Sequence, residues 1–237
     1  MPTESCHEFN ETARAAGFIE AIKNGARIAV VSDAGMPGIS DPGSRLAAAA
    51  IEAGVPVIPI PGANAALSAL VASGLPTNEF LFLGFLPEKA GARRTRLEAL
   101  ARETAGTGRT LVFYEAPHRI LETLSDLETV FPAQTRVVVA RELTKLHEEF
   151  LRGTAAEIHK ELASRDRVRG EITLLVEAPT TQAAETVSAR TIREQVTAIE
   201  AREGVDEKEA LKRLARELGR GKSELYRELQ RERAAKR

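Results

Sequence analysis

The chain has 237 residues, 43% of them hydrophobic and 28% charged, with one cysteine and a formal net charge of −1. That length accommodates one large α/β domain or two or three small ones, and the composition excludes a disordered chain. The lone Cys6 excludes an intrachain disulfide framework and a cysteine-cluster metal site, and no apolar run approaches the roughly 18 residues of a membrane span.

Hydrophobic pattern and punctuation then alternate helix and strand along most of the chain. The N-terminal MPTESCHEFNE lacks signal-peptide shape, so the expectation is a cytoplasmic protein with no membrane association. A helix fits Thr12–Lys23, a strand Arg27–Ser32, a helix Ser44–Ala53, a strand Val55–Ile60 and a helix Ala63–Ala72. Pro76–Thr77–Asn78 reads as a hinge. Beyond it come strand Phe80–Phe85, helix Ala92–Thr104, strand Thr110–Tyr114, helix His118–Val130, strand Arg136–Glu142, helix Ala155–Ser164 and strand Glu171–Glu177. Such alternation predicts an α/β fold of parallel strands with helices on both faces.

After Ala178 the character changes. PTTQAAETVSA is polar and reads as a linker, and only helical periodicity follows: Thr191–Glu203, Glu207–Glu217 and Ser223–Arg237, with Ser223 as an N-cap after the Gly219–Gly221 turn. From Arg190 onward there are 14 Lys/Arg against 10 Asp/Glu, while the preceding part has 19 against 24. A basic helical appendage on a mildly acidic body suggests a polyanion partner. The predicted organisation is an α/β subdomain over 1–76, a second over 77–178, a linker over 179–189 and a helix-turn-helix-like basic domain over 190–237.

Two loops carry the chemistry. VSDAGMPGISDPG, residues 31–43, packs three glycines, two prolines and two aspartates between a strand and a helix. Glycine lets backbone approach a guest and proline holds the turn, at the sheet edge where α/β folds bind ligands. No Lys-Ser/Thr pair follows the glycines and the spacing is not GxGxxG, so the guest is not held mainly through phosphates. Asp33 or Asp41 can accept from hydroxyl or ammonium groups; alternatively, Asp41 simply caps the following helix at Gly43. The second loop, Pro61–Ala66, has the same small-residue grammar. It suits either a flat ligand or close helix–sheet packing.

Six motifs in order, VSDAGMPGISDPG, PIPGANAALSALVASGLP, FLGFLP, FYEAPHR, ARELTKLHEEF and RGEITLLVE, resemble those of the bacterial 16S ribosomal RNA cytidine 2′-O-methyltransferases of the small subunit methyltransferase I type. These belong to the tetrapyrrole (corrin/porphyrin) methylase superfamily, and the resemblance runs from Ser5 to Lys222. It implies two α/β subdomains of the tetrapyrrole methylase type with a small C-terminal helical domain, S-adenosylmethionine as methyl donor, 2′-O-methylation of a cytidine ribose in the decoding region of 16S rRNA, the 30S subunit as partner, and a homodimer. By motif correspondence the donor would meet Asp33, Ala34, Gly35, Pro37, Ser40 and Asp41 in the first loop. Ala63, Ala65 and Ala66 would follow in the second, with Tyr114, Glu171 and Ile172 on the far side. One departure stands out. The family opens with a strand and loop of the type PTPIGNLxDIT and a strand ending near AEDTR, both preceding the stretch that ESCHEFNE resembles. About fifty residues of that pattern have no counterpart here, so the expectation is exposed ladder edges, exposed apolar surface and reduced stability.

Methyl transfer to a ribose hydroxyl requires in-line alignment of oxygen, carbon and sulfur, and a base or cation near the hydroxyl proton. Candidates at strand ends are Glu115 and His118 in FYEAPHR and Arg141, Glu142 and Lys145 in ARELTK. Phosphates could be met by Lys89, Arg93, Arg94 and Arg96, and by Arg220, Lys222 and Arg227 in the tail, although a solvated helix face explains the same charges. No spacing suggests a metal site. Two other readings fit the residues: a methylase of a small tetrapyrrole-like substrate, and an inactive remnant that only binds RNA.

Overall fold

The computed structural model describes residues 3–7, 10–180, 192–217, 221 and 225–230. By contacts the chain divides into two compact units, 1–179 and 180–237. The first begins with α1 (Glu11–Lys23), α2 (Ser44–Glu52) and α3 (Ala65–Ser73). It continues through β1 (Phe80–Phe85), α4 (Ala90–Glu103), β2 (Thr110–Glu115), α5 (Ile120–Val130), β3 (Arg136–Arg141), β4 (Glu149–Thr154), α6 (Ala155–Ala163) and β5 (Ile172–Glu177).

The five strands form one mixed sheet in the order β1-β2-β5-β3-β4. Only β1 and β2 pair in parallel; β5 runs antiparallel to both β2 and β3, and β4 antiparallel to β3. The expectation of a parallel sheet is therefore corrected. Each strand–helix–strand unit is locally what the periodicity describes, since β2 and β3 point the same way, as do β4 and β5. The units interleave, however: β5 is inserted between β2 and β3, and β3 between β5 and β4. The short connection from β3 to β4 also enforces a reversal, because parallel neighbours need a crossover of a dozen or more residues. Strand β4 was absent from the expected elements: EFLRGT carries a Glu, an Arg and a Gly that blur alternation.

Both sheet faces are covered. Phe113, Val139 and Leu174 on one face pack against Leu97, Leu124, Ile158 and Leu162 of α4, α5 and α6. On the other, Val112, Val138, Ala140 and Leu175 receive Ala66, Ala69 and Leu70 of α3. At the sheet's back edge Arg152 donates to the Ala72 carbonyl at 2.7 Å and the Ser73 carbonyl at 3.2 Å, satisfying acceptors at the end of α3. Helices α4 and α5 are pinned by buried charge: the Arg93 guanidinium donates to Asp126 at 2.7 Å and Glu122 at 3.0 Å, and Arg94 shares Asp126 at 3.0 Å.

The two strands expected at Arg27–Ser32 and Val55–Ile60 do not form. Neither stretch has a ladder partner among the described residues, and its apolar side chains face outward: Val31 is 85% exposed, Ile58 77% and Ile60 78%. β-propensity describes fit to a pleated, half-buried surface, and without a neighbour there is none to fit.

The second unit contains α7 (Ile192–Glu203), α8 (Glu207–Glu217) and a helical stretch over 225–230. Ile192, Val196, Ile199, Leu211, Leu214, Leu225 and Leu229 form its core. Most of the expected linker, Arg190 and the Ser223 cap lie outside the described residues. Among the described residues no helix is long and apolar enough to cross a membrane.

Candidate active site

The registers align Glu115 of β2, Ile172 of β5 and Arg141 of β3 at one edge of the sheet. That edge collects the C-terminal ends of β1, β2 and β3 and the start of β5. Facing it stands the 31–43 loop, where Gly35, Gly38 and Gly43 take φ of 77°, 80° and 132° and Ser40 takes 56°. The Gly84 backbone of β1 comes so near that an added Cβ would stand 3.3 Å from Ser40 Oγ.

The helix after this loop is capped from a distance. Glu11, buried in the first turn of α1, accepts from the Gly43 and Leu46 amides, both at 2.9 Å. Asp41, the alternative candidate for that cap, is thereby left to the cleft. The carboxylate of Glu11 satisfies two otherwise orphaned donors and complements the positive end of the helix dipole.

Between loop and sheet edge lies a cleft of about 690 Å³. Of the expected donor-binding positions, Asp33, Ala34, Gly35, Ser40, Asp41, Ala65, Tyr114, Glu171 and Ile172 line it. Pro37, Ala63 and Ala66 do not; the Ala63 carbonyl sits 4.0 Å from where a Gly35 Cβ would be, and Ala66 is buried in α3. Tyr114 is held by rings, with Phe82 and Phe85 centroids at 5.1 and 5.8 Å. Burial pushes its phenol above the ordinary range; the Ala66 backbone hydrogen bond opposes this and the Asp41 carboxylate adds to it. The phenol is therefore a neutral hydrogen-bonding group at physiological pH.

The candidate proton-handling residues separate sharply. Glu115 touches the cleft wall, but its carboxylate is sealed, accepting from Arg119 Nε, Thr123 Oγ1 at 2.8 Å and the Ala116 amide at 2.7 Å. Arg119 also donates to the Leu86 carbonyl at 3.1 Å, tying the β1 exit to the β2 exit. In this arrangement Glu115 acts as a strut joining the β1 exit, the end of β2 and the start of α5. His118 is exposed and lies outside the lining. Arg141 is committed to Glu149 at 3.0 Å and the Arg169 carbonyl at 3.0 Å, again away from the cleft. Glu142 and Lys145 remain, both lining it. Lys145 Nζ lies 3.0 Å from Glu142 Oε1 and 3.0 Å from Glu171 Oε2. Those hydrogen bonds, first to Glu171 and then to Glu142, raise the ammonium pKa, while the Glu171 amide and Lys145 hold Glu142 below the usual carboxylate range.

Among the expected RNA contacts, Arg93 is overturned: it is 1% exposed and fully engaged in the α4–α5 ion pairs. Lys89 is exposed at the start of α4, Arg94 is half-exposed beside Asp126, and Arg96 lies 3.7 Å from Glu103. Arg227 is exposed within 225–230, whereas Arg220 and Lys222 lie outside the described residues. Lining residues that sequence reading missed include Met36, Ile39, Phe85, Leu143 and Gly170. Apolar side chains of this kind carry the same signal as core, and only Gly170, within the RGEI motif, had a usable cue. Among the described residues no group of three His, Cys, Asp or Glu is placed to hold a metal ion.

Fold and cleft together define a methylase of the tetrapyrrole type. The sequence pattern described as Tetrapyrrole (Corrin/Porphyrin) Methylases matches residues 2–159. The fold resembles the crystal structure of the methyltransferase CobJ, 23% identical, with a TM-score of 0.52 over 75% of this chain and 74% of that one. Ribosomal RNA small subunit methyltransferase I of Pseudomonas aeruginosa is 42% identical over 81% of this chain and 67% of that protein. The proteins of the same name from Synechocystis and Bacillus subtilis are each 40% identical over 95% of this chain, covering 78% and 76% of their own lengths. The chain belongs to the ribosomal RNA small subunit methyltransferase I family.

Proposed function

We propose that this protein is an S-adenosylmethionine-dependent methyltransferase acting on the 2′-hydroxyl of a cytidine ribose in the decoding region of 16S rRNA. The observation that carries this reading is the cleft between the 33–41 loop and the sheet edge. Its volume suits a cofactor-sized ligand. Asp33, Asp41, Glu142 and Glu171 outnumber Lys145 in its lining, a charge balance that favours a sulfonium cation. Ala34, Gly35 and Ala65 leave room for a flat purine, and the main chain of the 33–41 loop offers hydrogen bonds that a stiffened turn keeps in place.

S-adenosylmethionine, when bound, supplies an electrophilic methyl group that the ribose oxygen takes as it releases its proton. The protein's part is orientation and exclusion of water, which can lower the barrier by several kcal/mol. Tyr114 remains a neutral donor. Lys145 remains a cation and Glu142 a weak base, so neither is tuned to remove a proton near neutrality. Lys89, Arg94 and Arg227 would add phosphate contacts with steep salt dependence.

With this reading go a cytoplasmic location, a homodimer, two α/β subdomains meeting near residue 76, and a basic C-terminal helical domain that engages the 30S subunit. The test is incorporation of tritiated methyl from S-adenosylmethionine into 30S subunits, with calorimetric binding of the donor alongside. Label in 16S rRNA, lost on Asp41→Arg, is the expected result. Label in a tetrapyrrole only, or no heat of donor binding, overturns the reading.

A further inference from the structure

We infer that Lys145 is the positioning residue that holds the phosphate adjoining the reacting ribose at the mouth of the cleft. The inference rests on the rRNA reading above. In RNA a 2′-hydroxyl is separated from its own 3′-phosphate by only a few covalent bonds. Any pose that brings the hydroxyl to a methyl donor in this cleft therefore brings an anion with it. The cleft is lined by Asp33, Asp41, Glu142 and Glu171, a field that repels phosphate, and among the described lining residues Lys145 is the one cation.

The mounting of Lys145 matches that task. Glu142, 18% exposed, fixes one side: its Oε1 receives the ammonium at 3.0 Å and the Glu171 amide at 3.0 Å. Glu171 holds the other side through a side chain that is 73% exposed, a pairing of the kind worth little in water. Phosphate can replace Glu171 while Glu142 keeps the ammonium in place, and a lysine has a third proton to offer besides. The loop beneath is preorganised. Glu142 and Thr144 take φ of 52° and 62°, uncommon for residues other than glycine, and the Thr144 amide donates to Glu148 at 2.7 Å. Gly170 completes the arrangement, since an added Cβ there would fall 2.3 Å from Glu142 Cγ. Glycine is required at 170 because the Glu142 side chain fills that space. Leu146, next along the same loop, is 93% exposed at the rim. It places an apolar surface where a nucleotide's sugar or base would rest.

The alternative role for Lys145 is to act directly on the reacting hydroxyl, and kinetics separate the two. Lys145→Met and Lys145→Arg are compared with the wild type in methylation of 30S subunits across a salt series, with calorimetry for the donor. For Lys145→Met the expected result is a KM for 30S about tenfold higher and a log–log salt slope smaller by about one. Expected alongside are a kcat that falls by less than KM rises, a donor affinity no lower than that of the wild type, and recovery of most of the loss by Lys145→Arg. A fall in kcat with unchanged KM and salt slope overturns the inference in favour of direct action. So does an unchanged profile in a variant that still binds donor. A wild type that binds donor but transfers no methyl to 30S overturns the rRNA reading itself, and this inference falls with it.

Discussion

The same kind of apolar stretch meets two different fates in this protein. TLVFYE in β2 and ITLLVE in β5 lie between neighbours and are almost entirely buried, while RIAVVS and VPVIPI in the front part have no ladder partner among the described residues and leave Val31, Ile58 and Ile60 in water. Their amino acids are hardly distinguishable. A strand is a property of a pair, and periodicity alone cannot report whether the second member is present.

The largest test of that contrast replaces side chains on its two sides. Phe113→Ala in β2, whose ring is wholly buried, should cost about 3–5 kcal/mol, while Ile58→Ala should stay within about 0.5 kcal/mol, both read from urea denaturation midpoints. A comparable loss at Ile58 would mean that its stretch is packed after all. Next in size is Asp126→Ala, which strands the buried Arg93 guanidinium and should cost about 3 kcal/mol, with Asp126→Ala plus Arg93→Met recovering much of it. This pair measures how much of the well-packed half depends on charge rather than on apolar burial.

Acid provides a third probe of that half. Hydrogen bonds from Arg165 outweigh burial and, with Arg141, hold the Glu149 carboxyl at about 2, below its ordinary 4.5. A depressed carboxylate pKa stabilises the fold fully above about 4.5 and progressively less as pH falls through 2, so a loss on the order of 2 kcal/mol is expected across that window. The urea midpoint at pH 5 and pH 2.5 measures it, and Glu149→Gln should flatten this part of the profile. Smallest is Glu11→Ala, which removes the acceptor for two amides of α2 and should cost about 1 kcal/mol. It probes the front side of the contrast, where a carboxylate rather than a strand ladder holds the segment.

What could be read from sequence divides along the same physical line. Helix positions and four of the five strands followed from local periodicity, and the 33–41 loop followed from glycine and proline demands that are local too. Interleaving of the two strand–helix–strand units was not legible, because pairing partners are chosen across 60 residues of chain. The small strand β4 was missed because EFLRGT mixes charge and glycine at a sheet edge. Within the cleft, Glu142, Lys145 and Glu171 could be named, but not their mutual clasp. Glu115, Arg93 and Arg141 carry charges that sequence cannot distinguish from working groups. Only their partners, Arg119, Asp126 and Glu149, reveal them as fasteners.

The Glu11 carboxylate has one more effect. It fastens the trailing end of the glycine-proline turn to the first helix of the chain, so the two segments move as one mechanical unit. By reciprocity, a guest that quiets the turn must also quiet that helix. Amide exchange in residues 12–22 would then slow when the cleft is filled, a readout at a site the guest never touches.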